Sequence, residues 1–296
     1  MTNKVTIVIP TFNRAHLVCD TIDSALAQTE PCDIIVCDHG SRDNTPQVVR
    51  KYGDRITYIR RERDFGPHFC WLEGILNANT DLVHIHYDDD LMDPHFIEET
   101  LRYMQDDVGM VFTDACMIDR TTGKTTIPEI FQFSKTLETG IMPSRNLEKM
   151  LLDGLMLSPA ICLYRRRDVI DAILPGNLPI NFGGAYHGVG PDLLMSLLVC
   201  LRYPKCAVIT RPLARFGTHA GSITIDAAHD PAKQHALTDG YNAFRTYYRL
   251  IKLYQTNPLV RHATFVCSSY KRWNKRLERR VKLFLKAIGL RRKEVQ

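Results

Sequence analysis

The sequence predicts an α/β fold in which a Rossmann-like, mostly parallel sheet carries helices on both faces and is followed by a helical C-terminal extension. Three observations carry that prediction. Apolar runs of four to six residues alternate with segments of helical period through the first hundred positions. The runs are continuous, as strands covered on both faces of a parallel sheet must be. Polar clusters then follow the runs, beyond the carboxyl ends of the strands, where open α/β sheets take their ligands.

Taken in order, Val5 to Ile9 is an apolar strand that stops at Pro10, and Ala15 to Gln28 places Leu17, Val18, Thr21, Ile22, Ala25 and Leu26 on one helical face. Ile34 to Cys37 is a second strand. Asp43-Asn44-Thr45-Pro46 then marks a helix start, because proline suits the first helical turn. Ile56 to Ile59 is a third strand, Phe69 to Asn77 a helix, Leu82 to Tyr87 a fourth strand and Pro94 to Gln105 a helix. The alternation gives way near Thr224 to Pro231, so a domain is expected at residues 1–225 and a helical extension at 226–296.

At 296 residues, 45% hydrophobic and 24% charged, the composition is that of an ordinary globular protein. Nine cysteines without a CxxC pair, several inside apolar runs, read as reduced core thiols of a cytosolic protein. The apolar run before Pro10 is too short for a signal peptide, and no stretch reaches the roughly 20 apolar residues that span a bilayer. Residues 271–293 carry eleven Lys or Arg against the single Glu278, so the rest of a chain of net charge +5 is acidic. In that tail Trp273, Leu277, Val281, Leu283, Phe284, Leu285, Ile288 and Leu290 recur mostly at helical spacing, the pattern of an amphipathic interfacial helix. An anionic membrane surface is the expected partner, which places the protein peripherally on the inner face of the cell membrane. A nucleic-acid partner is not expected, since the basic residues do not extend over the folded domain.

The sharpest chemical signal is His84-Ile85-His86-Tyr87-Asp88-Asp89-Asp90 at the end of the fourth strand. Carboxylates this close repel one another unless a cation is present, and hard oxygen donors select Mg²⁺ or Mn²⁺ with a substrate phosphate completing the shell. The plainer reading is a solvated acidic turn capping the next helix. Two further clusters lie at the same sheet edge, Pro10-Thr11-Phe12-Asn13-Arg14 and Cys37-Asp38-His39-Gly40-Ser41-Arg42-Asp43.

These three clusters in this order resemble the nucleotide-binding half of the family 2 glycosyltransferases, which have the GT-A fold. Ser158 to Asp171, Gly190-Pro191-Asp192-Leu193 and Arg215-Phe216-Gly217-Thr218-His219-Ala220-Gly221-Ser222 extend the resemblance over roughly 220 residues. It implies a nucleotide-binding half at 1–115 and an acceptor-binding and catalytic-base half at 116–225. The implied activity moves a sugar from a nucleotide-diphosphate donor, UDP favoured, to a hydroxyl of a glycan or lipid-linked acceptor, with inversion, in surface polysaccharide or O-antigen biosynthesis. By the same resemblance Pro10, Thr11, Asn13 and Arg14 lie along the nucleoside, Asp38 and His39 approach the base, Asp88 and Asp89 contact the nucleotide, and Asp88, Asp90 and His219 hold the metal. Asp192 is the implied base that takes the acceptor's proton.

The pattern departs from the family at His39, where a second acid is common, and at Asp64-Phe65-Gly66-Pro67-His68 with Trp71, where an Arg-Asn pair is frequent. A neutral imidazole nitrogen can accept a base N–H as a carboxylate does, less strongly. Asp192 also has the position of a helix-dipole partner after Pro191, although Gly183, Gly184, Gly188 and Gly190 precede it as a lid would require. Arg165-Arg166-Arg167 could meet phosphates but reads rather as a solvated turn, His84 and His86 read as core histidines, and Tyr241, Phe244, Tyr247, Tyr248 and Tyr254 read as the packing face of the C-terminal helix, with the floor of an acceptor groove as the alternative. The alternatives to transfer are a noncatalytic nucleotide-sugar-binding scaffold and a metal-dependent phosphohydrolase. The latter needs an aspartate nucleophile where Pro10-Thr11 stands. A dinucleotide oxidoreductase is disfavoured for want of a GxGxxG after the first strand.

Overall fold

The four apolar runs become β1 (Val5–Thr11), β2 (Asp33–Asp38), β3 (Thr57–Arg60) and β4 (Leu82–Ile85), mutually parallel in the spatial order β3-β2-β1-β4. The computed structural model describes residues 4–173, 190–219 and 230–262 with the isolated positions 275, 276 and 279. Between the strands lie α1 (Val18–Leu26), α2 (Thr45–Arg50), α3 (Pro67–Asn77) and α4 (Phe96–Leu101). β1 shows why its run is apolar throughout. Ile7 and Ile9 join Val18, Ile22 and Val49 in one core layer, while Val8 faces Gly74 of α3, where an added Cβ would lie 2.3 Å from Val8 Cγ1. Alternate side chains thus enter layers on opposite faces, and each fully buried aliphatic contributes roughly 1.5–3 kcal/mol.

The second half is built differently. β5 (Leu91–Met92), β6 (Val108–Asp119), β7 (Thr125–Ile127), β8 (Gly140–Pro143), α5 (Ser144–Leu152), β9 (Cys162–Arg165), α6 (Arg166–Ala172), α7 (Pro191–Arg202), β10 (Lys205–Thr218) and α8 (Pro231–Thr256) follow. β9 inserts antiparallel between β4 and β6, β10 runs parallel to β6, and β5 pairs antiparallel with β10 through Met92 opposite Ala214. The sheet is therefore α/β and mostly parallel around β1, with antiparallel strands at the join. Register shifts flank Pro212, which has no N–H to give the ladder.

Several expectations are corrected. α1 starts at Val18 rather than Ala15, because Asn13 takes a left-handed φ of 55° and the turn at Arg14 accepts from the N–H groups of Leu17 and Val18. Arg165 to Arg167 is no solvated turn: it runs from the end of β9 into α6, with Arg165 donating to the carbonyls of Gln105 and Val108 and Arg167 to the Tyr203 hydroxyl. His84 and His86 are fully buried, as core histidines.

One compact unit comprises Met1–Thr246 and a second Tyr247–Gln296. Phe244 lies over Gly190 and Arg245 donates to the carbonyl of Leu151, so the first part of α8 belongs to the first unit. The segment with Gly183, Gly184 and Gly188 and the amphipathic stretch from Trp273 to Leu290 lie outside the described residues. Among the described residues no helix is long and apolar enough to cross a membrane.

Candidate active site

The loops after β1 and β2 are tied to each other by short-range polar bonds. Asn13 N–H donates to Ser41 Oγ (2.8 Å), Asn13 Oδ1 accepts from Arg42 N–H (2.8 Å), and Arg14 N–H donates to Thr45 Oγ1 (2.9 Å). Asp38, expected at the base, is committed inside the protein. Its Oδ1 accepts from the N–H groups of Gly40 (3.0 Å) and Ser41 (2.7 Å), its Oδ2 accepts from the Tyr58 hydroxyl (2.7 Å), and Arg60 lies 3.6 Å away. With its side chain at 0% exposure, Asp38 shapes the turn that presents His39. That imidazole stacks on Phe12 at 4.7 Å between centroids, and its Nδ1 is 2.7 Å from Asp64 Oδ1.

The acidic triplet is not a solvated turn. Phe12 N–H donates to Asp88 Oδ2 (3.3 Å) and Arg14 lies 3.8 Å from Asp88 Oδ1. Asp89 Oδ2 is 3.0 Å from His219 Nε2, and Asp90, 5% exposed, accepts at Oδ1 from Gly217 N–H (3.0 Å). Gly217 is required at the end of β10, since a Cβ there would sit 2.2 Å from the Asp89 carbonyl oxygen. Burial, and then the charge of Asp89, pushes Asp88 up to about 7. The same two causes hold Asp90 well above the carboxylate range, against the pull of the Gly217 N–H.

The three side chains assigned to a metal do not close into a cage. Among the described residues no three His, Cys, Asp or Glu side chains are grouped so as to hold an ion, and His219 is engaged with Asp89. The donor chemistry nonetheless fits a hard divalent cation. Asp88 and Asp90 are crowded, desolvated carboxylates whose ionised form lacks sufficient positive charge nearby, and two protein oxygens with substrate phosphate and water is a common Mg²⁺ or Mn²⁺ shell.

Asp192 stands at the start of α7, after Gly190 with a φ of 93° and Pro191 at the first helical position. Its Oδ1 accepts from Leu193 N–H (2.8 Å) and its Oδ2 from the Tyr241 hydroxyl (3.1 Å). Burial raises its pKa, and those two hydrogen bonds oppose the rise. Its charge in turn helps burial hold the Tyr87 phenol well above the ordinary range, which places Asp192 close to the residue that precedes the triplet.

The glycosyl transferase family 2 model matches residues 6–173, more than half the chain and the whole span from β1 to the end of α6. The chain belongs to glycosyl transferase family 2. An uncharacterized glycosyltransferase of Rickettsia typhi is 37% identical over 101 residues, 34% of this chain and 31% of that protein, so the match spans about a third of that relative. S. aureus TarS 1-349 in complex with UDP-GlcNAc superposes with a TM-score of 0.59 at 15% identity, covering 86% of this chain and 76% of that one. Glucosyl-3-phosphoglycerate synthase from Mycobacterium tuberculosis, in complex with Mn²⁺, UDP and phosphoglyceric acid, gives a TM-score of 0.52 at 15% identity, covering 82% and 78%. At such identities these likenesses show the GT-A fold.

Within this family 2 glycosyl transferase, the roles of three site residues escaped the sequence reading. Tyr241 lies on a helix 49 positions beyond Asp192, and only the one-sided aromatic pattern of α8 marked it. Asp64 was noted as a departure from the family pattern, not as the partner of His39. Gly217 stood only as a member of the motif from Arg215 to Ser222, and its role comes from the end of β10 lying against the triplet.

Proposed function

We propose that this chain is an inverting glycosyltransferase, assisted by a divalent cation, that moves a sugar from a UDP-linked donor to a hydroxyl of a glycan or lipid-linked saccharide in surface polysaccharide or O-antigen biosynthesis. The observation that carries the reading is the pair of crowded, largely buried carboxylates Asp88 and Asp90 beside the interlocked loops of β1 and β2. A bound Mn²⁺ or Mg²⁺ would stabilise the negative charge that gathers on the departing nucleoside diphosphate. Pro10, Thr11, Asn13 and Arg14 line the nucleoside, Asp89 contacts the nucleotide, and His219 holds Asp89 in place. Asp192 takes the proton of the attacking hydroxyl, and its raised pKa favours that role near neutral pH.

His39 supports the uridine donor. In its neutral form, with Nδ1–H donating to Asp64 at 2.7 Å, His39 would offer Nε2 as a lone-pair acceptor for the N3–H of uracil. Stacking on Phe12 fixes the plane of the ring. TarS in complex with UDP-GlcNAc and the synthase in complex with UDP and Mn²⁺ have the same fold and accord with this choice. The basic amphipathic tail would bring the enzyme to the cytoplasmic membrane face and so to a lipid-linked acceptor.

Calorimetric binding of UDP, dTDP, GDP and CDP, each with and without Mn²⁺, tests the reading on the wild type and on Asp90→Ala. UDP binding that needs both Mn²⁺ and Asp90 is expected. Failure of every nucleotide to bind would overturn it.

A further inference from the structure

We propose that Tyr241 is a positioning residue for the reaction, its hydroxyl holding the Asp192 carboxylate at the start of α7 in the orientation that receives the acceptor's proton. The proposal rests on Asp192 being the base. It deepens that reading by making the first part of α8 a component of the active site.

The geometry is specific. The two Asp192 oxygens are held separately, Oδ1 by the Leu193 N–H at 2.8 Å and Oδ2 by the Tyr241 hydroxyl at 3.1 Å. The first bond comes from the adjacent residue and permits the carboxylate to turn about its Cβ–Cγ bond. The second comes from another helix and stops that rotation. α8 is itself fixed at this place by residues one turn further along. Phe244 covers Gly190 so closely that a Cβ there would lie 2.1 Å from the ring, and Arg245 donates from Nε to the Leu151 carbonyl at 2.9 Å. Tyr241, Phe244 and Arg245 have i, i+3, i+4 spacing and share one helical face. That face meets the start of α7 and the end of α5.

Among the described residues, the Leu193 N–H and then the Tyr241 hydroxyl are the contacts that most oppose the effect of burial on the Asp192 charge. Tyr87 after β4, Cys162 and Tyr164 of β9, and Tyr241 of α8 face it, with Arg245 acting on Tyr241. Burial holds the phenols of Tyr87, Tyr164 and Tyr241 above their ordinary range and Cys162 up to about 12, so all four stay neutral near pH 7. None of them supplies a compensating charge. A hydroxyl that donates to the carboxylate therefore lowers its proton affinity and orients it with the same contact.

The test titrates Asp192 directly, by the ¹³C resonance of its carboxyl in aspartate-labelled full-length protein, assigned by its loss in Asp192→Asn. Wild type is compared with Tyr241→Phe and with protein carrying 3-fluorotyrosine at position 241, whose more acidic hydroxyl donates more strongly at nearly the same size. The Asp192 midpoint is expected to rise by about one pH unit in the phenylalanine variant and to fall in the fluorinated protein. A residue with only a packing role would leave both midpoints at the wild-type value, and that result overturns the proposal. If the phenylalanine variant does not fold, the fluorinated protein decides alone. UDP release from UDP-glucose and UDP-N-acetylglucosamine by Asp192→Asn tests the base separately: turnover as in the wild type would reject Asp192 as the base while leaving the titration result standing.

Discussion

Replacing Asp88 by asparagine should stabilise the metal-free protein at pH 8 and at the same time remove its response to Mn²⁺. Asp88 is raised to about 7 by burial and by the charge of Asp89. A group whose folded pKa lies above its unfolded value favours the fold fully below the unfolded value, near 4, and that stabilisation is lost as pH rises through the folded one, near 7. The full span corresponds to about 4 kcal/mol at 1.36 kcal/mol per unit. With the side chain 14% exposed and water able to relax around it, about 2–4 kcal/mol is the more realistic cost of the ionised form. In a body of this size each kcal/mol moves the melting temperature by about 2–4 °C, so Asp88→Asn in EDTA at pH 8 should melt on the order of 5–10 °C above wild type. Differential scanning calorimetry at pH 6.5 and 8.5, with EDTA and with Mn²⁺, provides the assay. Wild type should gain more from Mn²⁺ at the higher pH, and the variant should gain little at either. An Asp88→Asn protein that melts below wild type in EDTA, or that keeps a wild-type Mn²⁺ response, would refute the electrostatic account of the triplet.

Other consequences are equally direct. His84 donates from Nδ1 to the Cys162 carbonyl at 2.8 Å and is lowered by burial to about 4, so its contribution is complete above pH 6.5 and is lost as pH falls toward 4. Urea titrations at pH 6.5 and 4.5 should show wild type losing about 2–3 kcal/mol more than His84→Gln over that interval. Gly74→Ala forces a methyl against Val8 and should cost about 1–3 kcal/mol in the same assay. Asp64→Asn frees the tautomer of His39 and should weaken UDP binding up to about tenfold, with GDP and CDP unaffected, as read by calorimetry.

The legible parts of the fold were those whose causes are local. β1, β2 and β4 are built on short apolar runs, and β1 packs against α1, which follows it directly, as well as against α3. β6 and β10 were not legible as a pair, because they carry Thr113, Asp114 and Pro212 within the strands and find each other across some ninety positions. β9 is four residues long, and nothing in those residues states that it separates β4 from β6. In the site, Asp88, Asp89 and Asp90 stood out because adjacent charges have a physical cost visible in any sequence. The internal bonds of Asp38 were not legible, because a carboxylate before Gly40 gives no sign that Gly40, Ser41 and Tyr58 donate to it. The arginines at 165 to 167 looked solvated for want of the same knowledge, namely where the carbonyls of Gln105 and Val108 lie.

The insertion of β9 sets an order of events during synthesis. β4 emerges from the ribosome with β1 on one side and nothing on the other, because the neighbour that completes it begins only at Cys162. At roughly 5–20 residues per second the free edge of β4 waits for about 4–16 s, through the whole synthesis of β6, β7, β8 and α5. β6 cannot substitute, since its place in the sheet lies beyond the missing strand. The nascent first half is therefore an open template for another chain's strand over that interval, and a fragment ending near residue 115 would keep that open edge permanently and be expected to aggregate. The sheet can close on this side only once Arg165 has been made.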